Sequence, residues 1–311
     1  ITVGGGVPPY KYSWSNGATT QDISEIPAGN YSVRVVDAQN CEKQLQTVVN
    51  QPPPLQVSVS SVINIQCNDA NTGAINVDVT GGVMPYTFEW SNGDSVQSLI
   101  DVPAGDYSLT VTDANGIKKV VNSTISEPSA INVKVDKQVD ILCFGESTGE
   151  IAITVTGGVA PYAYRWSNGS TSQDLNNIPA GQYDLVVTDK NGCSEQLSLE
   201  ISEPNQLQSR IASTENIKCF GDQEGEIRLE VTGGEQPYRY KWSNGANTQN
   251  IAELPAGNYS VVVSDANGCS NTLEATISEP PRLVAGILNV SNNACFGEES
   301  GAIEINVSGG V

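Results

Sequence analysis

The sequence has no histidine and a single methionine, Met84. Without histidine, the Ser/His/Asp and Cys/His nucleophile systems have no general base of the usual kind. A paired-carboxylate glycosidase survives on composition alone. The acids are either repeated once per period or irregularly placed, and no pair stands out. Basic residues are also scarce, 15 against 35 acids, for a formal charge of −20. So acidic a surface argues against nucleic acid and anionic membrane as partners. No apolar run approaches the length of a bilayer span. No stretch shows helical periodicity, and no phosphate loop, dinucleotide fingerprint or Cys-x-x-Cys zinc spacing is present. Gly157-Gly158 ends a strand-like run without the lysine or helix that phosphate chemistry needs.

What is present is a repeat. The four tryptophans, Trp14, Trp90, Trp166 and Trp242, are spaced at 76 residues without insertion. Each sits in a stretch such as Tyr162-Ala163-Tyr164-Arg165-Trp166-Ser167-Asn168-Gly169. Apolar and polar residues alternate into the tryptophan, and Asn-Gly follows, a half-buried strand entering a tight turn. The tryptophans are expected as core anchors, with a sugar-stacking platform as the alternative. Within one period, strand-like runs are punctuated by Cys143-Phe144-Gly145, Gly157-Gly158, Pro179-Ala180-Gly181 and Asp189-Lys190-Asn191-Gly192. Cys143-Phe144-Gly145 reads as a turn with a small hydrophobic plug. Tyr183 follows Pro-Ala-Gly at the place of the tyrosine corner of immunoglobulin-like sandwiches, where a phenol bonds back to the backbone. Tyr31, Tyr107 and Tyr259 share its phase. Asp37, Asp113, Asp189 and Asp265 read as Asx turns.

Six or seven short strands per period argue for an all-β fold, a linear tandem array of immunoglobulin-like β-sandwich repeats. A propeller has shorter periods. The expected boundaries are 1–52 (the C-terminal part of a repeat), 53–128, 129–204, 205–280 and 281–311 (the N-terminal part of one). Ser126-Glu127-Pro128, Ser202-Glu203-Pro204 and Ser278-Glu279-Pro280 serve as linkers, with Asn50-Gln51-Pro52 a weaker copy. Ile1-Thr2-Val3-Gly4-Gly5-Gly6-Val7 matches residues 305–311 four periods later. The expectation is a window of a longer array, with export and anchoring signals outside it.

Together, Cys-Phe-Gly, Gly-x-Ile, Gly-Gly, Pro-Tyr-x-Tyr-x-Trp-Ser-Asn-Gly, Ala-Gly-x-Tyr and Asp-x-Asn-Gly-Cys resemble the SprB repeat of very large surface proteins in gliding Bacteroidetes. The resemblance runs the whole chain. It implies an extracellular cell-surface filament exported by the type IX system. Its partners would be neighbouring repeats, a surface polysaccharide or other adhesion substratum, and the outer-membrane gliding machinery through regions outside this sequence. One residue departs from the pattern: Ile117 stands where Cys would follow Asn115-Gly116. It is expected to add apolar burial in place of a bond.

The seven cysteines show spacings of 50 within a period and 26 across a linker. Periodic pairs in an extracellular repeat read as disulfides. Pairing within the repeat is expected, Cys143 with Cys193 and Cys219 with Cys269, because an across-linker bond would join points separated by two strand lengths. That scheme makes Cys67 a free thiol. Calcium is the one cofactor to weigh, at Glu146 with Glu150, at Asp222 with Glu224 and Glu226, and at Glu298 with Glu299. The second repeat offers only Asp69 there, so solvated acidic loops are the expectation. Ser95, in Asp94-Ser95-Val96, resembles the Asp-Ser/Thr-apolar acceptor of Bacteroidetes O-glycans. A stalk is the leading functional expectation. Tandem carbohydrate-binding modules and an accessory region of a secreted hydrolase are the rivals.

Overall fold

Alternation sets the strands, and glycine, proline and aspartate end them. In Gly-Gln-Tyr-Asp-Leu-Val-Val-Thr, the residues Tyr183, Leu185 and Val187 are buried and their neighbours face outward, as period-two pleating requires. A computed structural model describes all of residues 1–311, in two compact units, 1–129 and 130–311. It contains strands but no helix, hence no helix long and apolar enough to cross a membrane.

The first unit begins with β1 (Lys11–Trp14), β2 (Gly29–Val36) and β3 (Glu42–Val49), one antiparallel sheet. A complete repeat follows: β4 (Gln56–Ile63), β5 (Gly73–Thr80), β6 (Thr87–Trp90), β7 (Leu99–Val102), β8 (Gly105–Thr112) and β9 (Lys118–Ile125). Its sheets are β4-β5-β7 and β6-β8-β9.

The second unit holds two more complete repeats. The first is β10 (Asn132–Val139), β11 (Gly149–Thr156), β12 (Ala163–Trp166), β13 (Leu175–Ile178), β14 (Gly181–Thr188) and β15 (Ser194–Ile201). The next is β16 (Gln208–Glu215), β17 (Gly225–Thr232), β18 (Arg239–Trp242), β19 (Ile251–Leu254), β20 (Gly257–Ser264) and β21 (Ser270–Ile277). Both repeat the two-sheet order, and β22 (Val284–Ser291) and β23 (Ala302–Ser308) form a final two-stranded sheet. The fold is therefore an all-β tandem array of immunoglobulin-like sandwiches with a 76-residue period.

The core lies between the sheets. In the repeat containing Trp166, one sheet supplies Ile151, Ile153, Leu175 and Ile178, and the other Trp166, Tyr183, Leu185, Val187 and Ile201. Each such side chain contributes about 1.5–3 kcal/mol on burial. The first strand is bulged, with its register shifting between Val135 and Lys137, and likewise between Val59 and Ser61, Ile211 and Ser213, and Ile287 and Asn289. A bulge moves later side chains to the other face. Beyond the strand, Ile141 is buried and Phe144 is 49% exposed. The plug expected at Cys143-Phe144-Gly145 is thus Ile141, with Ile65 and Ile217 buried at the same phase.

Candidate functional site: the stapled junction

A repeat has two distinct ends. At the loop end, Ile141 N–H donates to Ser202 O at 2.9 Å and Ser202 N–H to Asp140 Oδ1 at 2.9 Å. These bonds hold the exits of β10 and β15 side by side. Glu203 Oε2 accepts from Gly145 N–H at 2.7 Å, as Glu279 does from Gly221 and Glu127 from Asp69, both at 2.8 Å. The Ser-Glu-Pro motif is therefore a clamp. Its backbone and its carboxylate both grip the cysteine loop of the repeat it leaves.

At the hairpin end, one aspartate organises three pieces of chain. Asp189 Oδ1 accepts from Asn191 N–H at 2.8 Å and Cys193 N–H at 2.9 Å, and its Oδ2 accepts from Val159 N–H at 2.9 Å. Asp265 does the same with Cys269 and Glu235. These residues are Asx turns that also reach across to the Gly-Gly corner. Burial alone would raise the pKa of Asp113 and Asp189, but their backbone N–H donors outweigh it and hold both below the ordinary carboxylate value. Asp37 is lowered chiefly by the Val7 N–H, then by that of Cys41. Their stabilisation is complete above the unfolded carboxylate pKa, about 3.9. It is lost as pH falls through the lowered folded values. Acid unfolding followed by circular dichroism should therefore show stability flat from neutrality to about pH 4 and falling below it. Replacing Asp189 by Asn should weaken that acid limb in its repeat.

The two ends meet across the linker. Gly234 N–H donates to Asn205 O at 2.8 Å, and Asn271 Nδ2 donates to Leu207 O at 3.1 Å. This places the 265–269 hairpin of one repeat against the loop end of the preceding one. There Cys143 is bonded to Cys269, with Cα atoms 5.6 Å apart. Asn267 Nδ2 donates to Leu142 O at 2.9 Å beside it.

This pairing corrects the within-repeat expectation. Cys143 bonds Cys269 rather than Cys193, and Cys219 is an exposed free thiol, as are Cys41 and Cys295. Cys67 is not free: it and Cys193 are disulfide-bonded. The physical reason is strand length. Cys143 follows β10 at the loop end, whereas Cys193 precedes β15 at the hairpin end. An eight-residue strand puts about 26 Å between those ends, while disulfide Cα atoms lie within about 7 Å. The signal was a third spacing: 126 residues, one period more than 50. Ile117 does not compensate for the missing cysteine by burial, since it is 57% exposed.

The tryptophans and corner tyrosines lie inside. Trp166 is 2% exposed, and Trp14, Trp90 and Trp242 are also buried. Each indole Nε1 donates to a carbonyl six residues on, Ser172 O at 3.0 Å for Trp166. Their faces are not available to stack on sugars. Tyr31, Tyr107, Tyr183 and Tyr259 each donate to the proline carbonyl four residues back, at 2.7–2.9 Å. Burial pushes the Tyr183 phenol pKa up.

Two of the acidic residues weighed for calcium are held in ion pairs. Glu150 pairs with Lys137 at 2.5 Å and Glu226 with Arg228 at 2.6 Å. No group of three or more acids or cysteines forms a metal-holding cluster. Ser95 is exposed on a loop held from both sides, Trp90 N–H donating to Asp94 O and its indole to Val96 O.

The SprB repeat family model matches residues 1–19, 59–95, 135–171, 211–247 and 287–311, in step with the 76-residue period and about half of the chain in all. No curated protein matches the chain. Among solved structures it is similar to a tetra-tandem repeat in the extending region of a large adhesion protein: 16% identity, 88% of this chain and 93% of that one, TM-score 0.32. It is also similar to protocadherin gamma B7 extracellular cadherin domains 1–4: 11% identity, 87% and 92% covered, TM-score 0.35. A further likeness is to Sidekick-1 immunoglobulin domains 1–5: 12% identity, 87% and 74% covered, TM-score 0.31.

Proposed function

The chain is built of SprB repeats, and from that premise we propose that it is a structural stalk segment of a long extracellular adhesin filament serving surface adhesion and gliding motility. The observation that supports this most is the junction at Cys143–Cys269. A binding module needs an open face, whereas this sequence spends its repeated residues on joining one repeat to the next. Ser-Glu-Pro grips the repeat behind, the Gly-Gly corner of the repeat ahead grips the linker through Gly234 and Asn205, the buried aspartate ties that corner to its hairpin, and a covalent bond closes the joint. A load applied along the chain then meets hydrogen-bonded and covalent contacts rather than a loose tether. The disulfides fit an oxidising, extracellular setting. A charge of −20 keeps neighbouring filaments apart at low salt and less so at high salt. Ser95, exposed beside its turn, is proposed as an O-glycan acceptor on the flank of the stalk. The role is mechanical, without catalysis in this segment.

Deleting whole 76-residue periods from the gene tests the reading. Each deletion should shorten the surface filament, and attachment or spreading of cells should decline in steps with length. Attachment that is lost outright on removing one period, or that ignores length entirely, would remove the stalk reading.

A further inference from the structure

The joint stapled by Cys143–Cys269 lies wholly inside the second compact unit, between two complete repeats, and it holds a chemically labile pair of residues. The sequence contains seven Asn-Gly pairs. In such a pair the glycine nitrogen can attack the asparagine Cγ, because no glycine side chain obstructs the approach. Ring closure expels the amide nitrogen as ammonia, and water opens the ring to aspartate or isoaspartate. How fast this runs in a folded chain depends on what holds the two groups.

Four of the pairs follow the tryptophans, and there both groups are held inside the turn. Gly17, Gly93, Gly169 and Gly245 N–H each donate to the tryptophan carbonyl at 3.0 Å. Asn16, Asn92, Asn168 and Asn244 Oδ1 each accept from the backbone N–H two residues on, at 3.0–3.2 Å. Asn267-Gly268 is held differently. Gly268 N–H donates to Asp265 O at 3.3 Å, long for such a bond. Asn267 is exposed, and nothing lies within 4 Å of a Cβ placed on Gly268. The restraint on the side chain comes from the preceding repeat. Asn267 Nδ2, the nitrogen that must leave, donates to Leu142 O at 2.9 Å. Leu142 adjoins Cys143 and Asn267 stands two residues before Cys269, so the disulfide keeps donor and acceptor together.

We propose that Asn267-Gly268 is a deamidation site guarded by the Cys143–Cys269 staple, and that its reaction makes a reductive opening of the joint permanent. A dithiol reductant opens the bond by two successive thiolate attacks. Cys143 and Cys269 become thiols, and the reductant leaves as its cyclic disulfide. The hairpin then parts from Leu142 O, and Asn267 Cγ turns to the Gly268 nitrogen. The bond from that nitrogen to Cγ forms and the Cγ–Nδ2 bond breaks. The glycine proton leaves with the amide nitrogen as ammonia, and one water opens the succinimide. The new carboxylate accepts hydrogen bonds but donates none, and the Leu142 carbonyl opposite it is also an acceptor. The isoaspartate product adds a methylene to the hairpin backbone just ahead of Cys269, whose N–H is fixed by Asp265 Oδ1 at 2.9 Å. Disulfide Cα atoms must return to within about 7 Å, and both changes oppose that.

The test is incubation of the full chain at mildly alkaline pH, followed by peptide mapping of deamidation at Asn267, Asn168 and Asn244. Three samples are compared: the intact chain, the chain with dithiothreitol, and Cys143→Ser/Cys269→Ser without reductant, which removes this staple and leaves Cys67 and Cys193 bonded. Deamidation at Asn267 should rise at least about tenfold in the second and third samples, as expected when a local opening becomes easier, with Asn168 and Asn244 unchanged. An equal rate at Asn267 in all three would overturn the guard. So would a matching rise at Asn168 and Asn244, which marks unfolding of whole repeats. The locking step is read by removing the reductant from the aged chain and letting it reoxidise. Chains that regain Cys143–Cys269 should be enriched in unmodified Asn267, and Asn267→Asp should hold less of that disulfide than the parent in the same redox buffer. Equal reclosure of modified and unmodified chains would overturn the lock.

Discussion

Pulled from residues 130 and 278 with its disulfide intact, the protein should extend to about 80 Å; reduced, the same stretch should reach about 500 Å, at about 3.5 Å per residue. The difference follows from where Cys143–Cys269 sits. Force enters along β10, reaches Cys143, crosses to Cys269 and leaves along β21. Strands β11 to β20 lie inside the closed loop and carry no load once the path is taut. The two sandwiches could unfold completely and the chain between these points would still pass on the pull. Single-molecule stretching with and without a reductant measures it, and equal contour lengths in the two conditions would defeat the argument. A bond within each repeat would instead have left the linker between repeats as the only connection.

Gly233→Ala should destabilise its repeat by about 3 kcal/mol or more, since a strained backbone alone costs about 1–3 kcal/mol and a steric clash adds to it. Gly233 has φ +69°, and a Cβ there would lie 1.9 Å from Gln206 O and 2.8 Å from Gln206 C. The linker would have to leave its place, taking with it the Gly234 N–H to Asn205 O bond. Gly245→Ala is the control. It shares a positive φ, +90°, but nothing lies within 4 Å of its Cβ, so it should cost about 1–2 kcal/mol. Denaturant unfolding of the two variants separates backbone strain from close approach. Equal losses would show that the linker does not press on the glycine.

The architecture was legible because each period is locally consistent. Tyr183, Leu185 and Val187 alternate, Asn168-Gly169 turns the chain, and Pro179 places a carbonyl where the phenol finds it. The clamp was only half legible: Ser-Glu-Pro reads as a linker, but nothing in its composition says that Glu203 folds back onto Gly145. The buried plug was misread because Ile141 and Phe144 are both apolar residues of one turn, and only the folded backbone, with Ile141 N–H donating to Ser202 O, shows which of them is held inward. The disulfide was misread for a different reason. Spacing reports contour along the chain, whereas bonding depends on which ends face each other. Cys143 and Cys193 share a repeat but not an end of it.

The closed loop from Cys143 to Cys269 has a further effect, on cleavage by proteases. A single cut anywhere between residues 144 and 268 removes a peptide bond but not the connection, because the pieces on either side remain joined through sulfur. Severing the chain there takes a cut and a reductant together. Outside the cell, where proteases are common and reductants are scarce, such a nick would leave the two ends of this stretch joined.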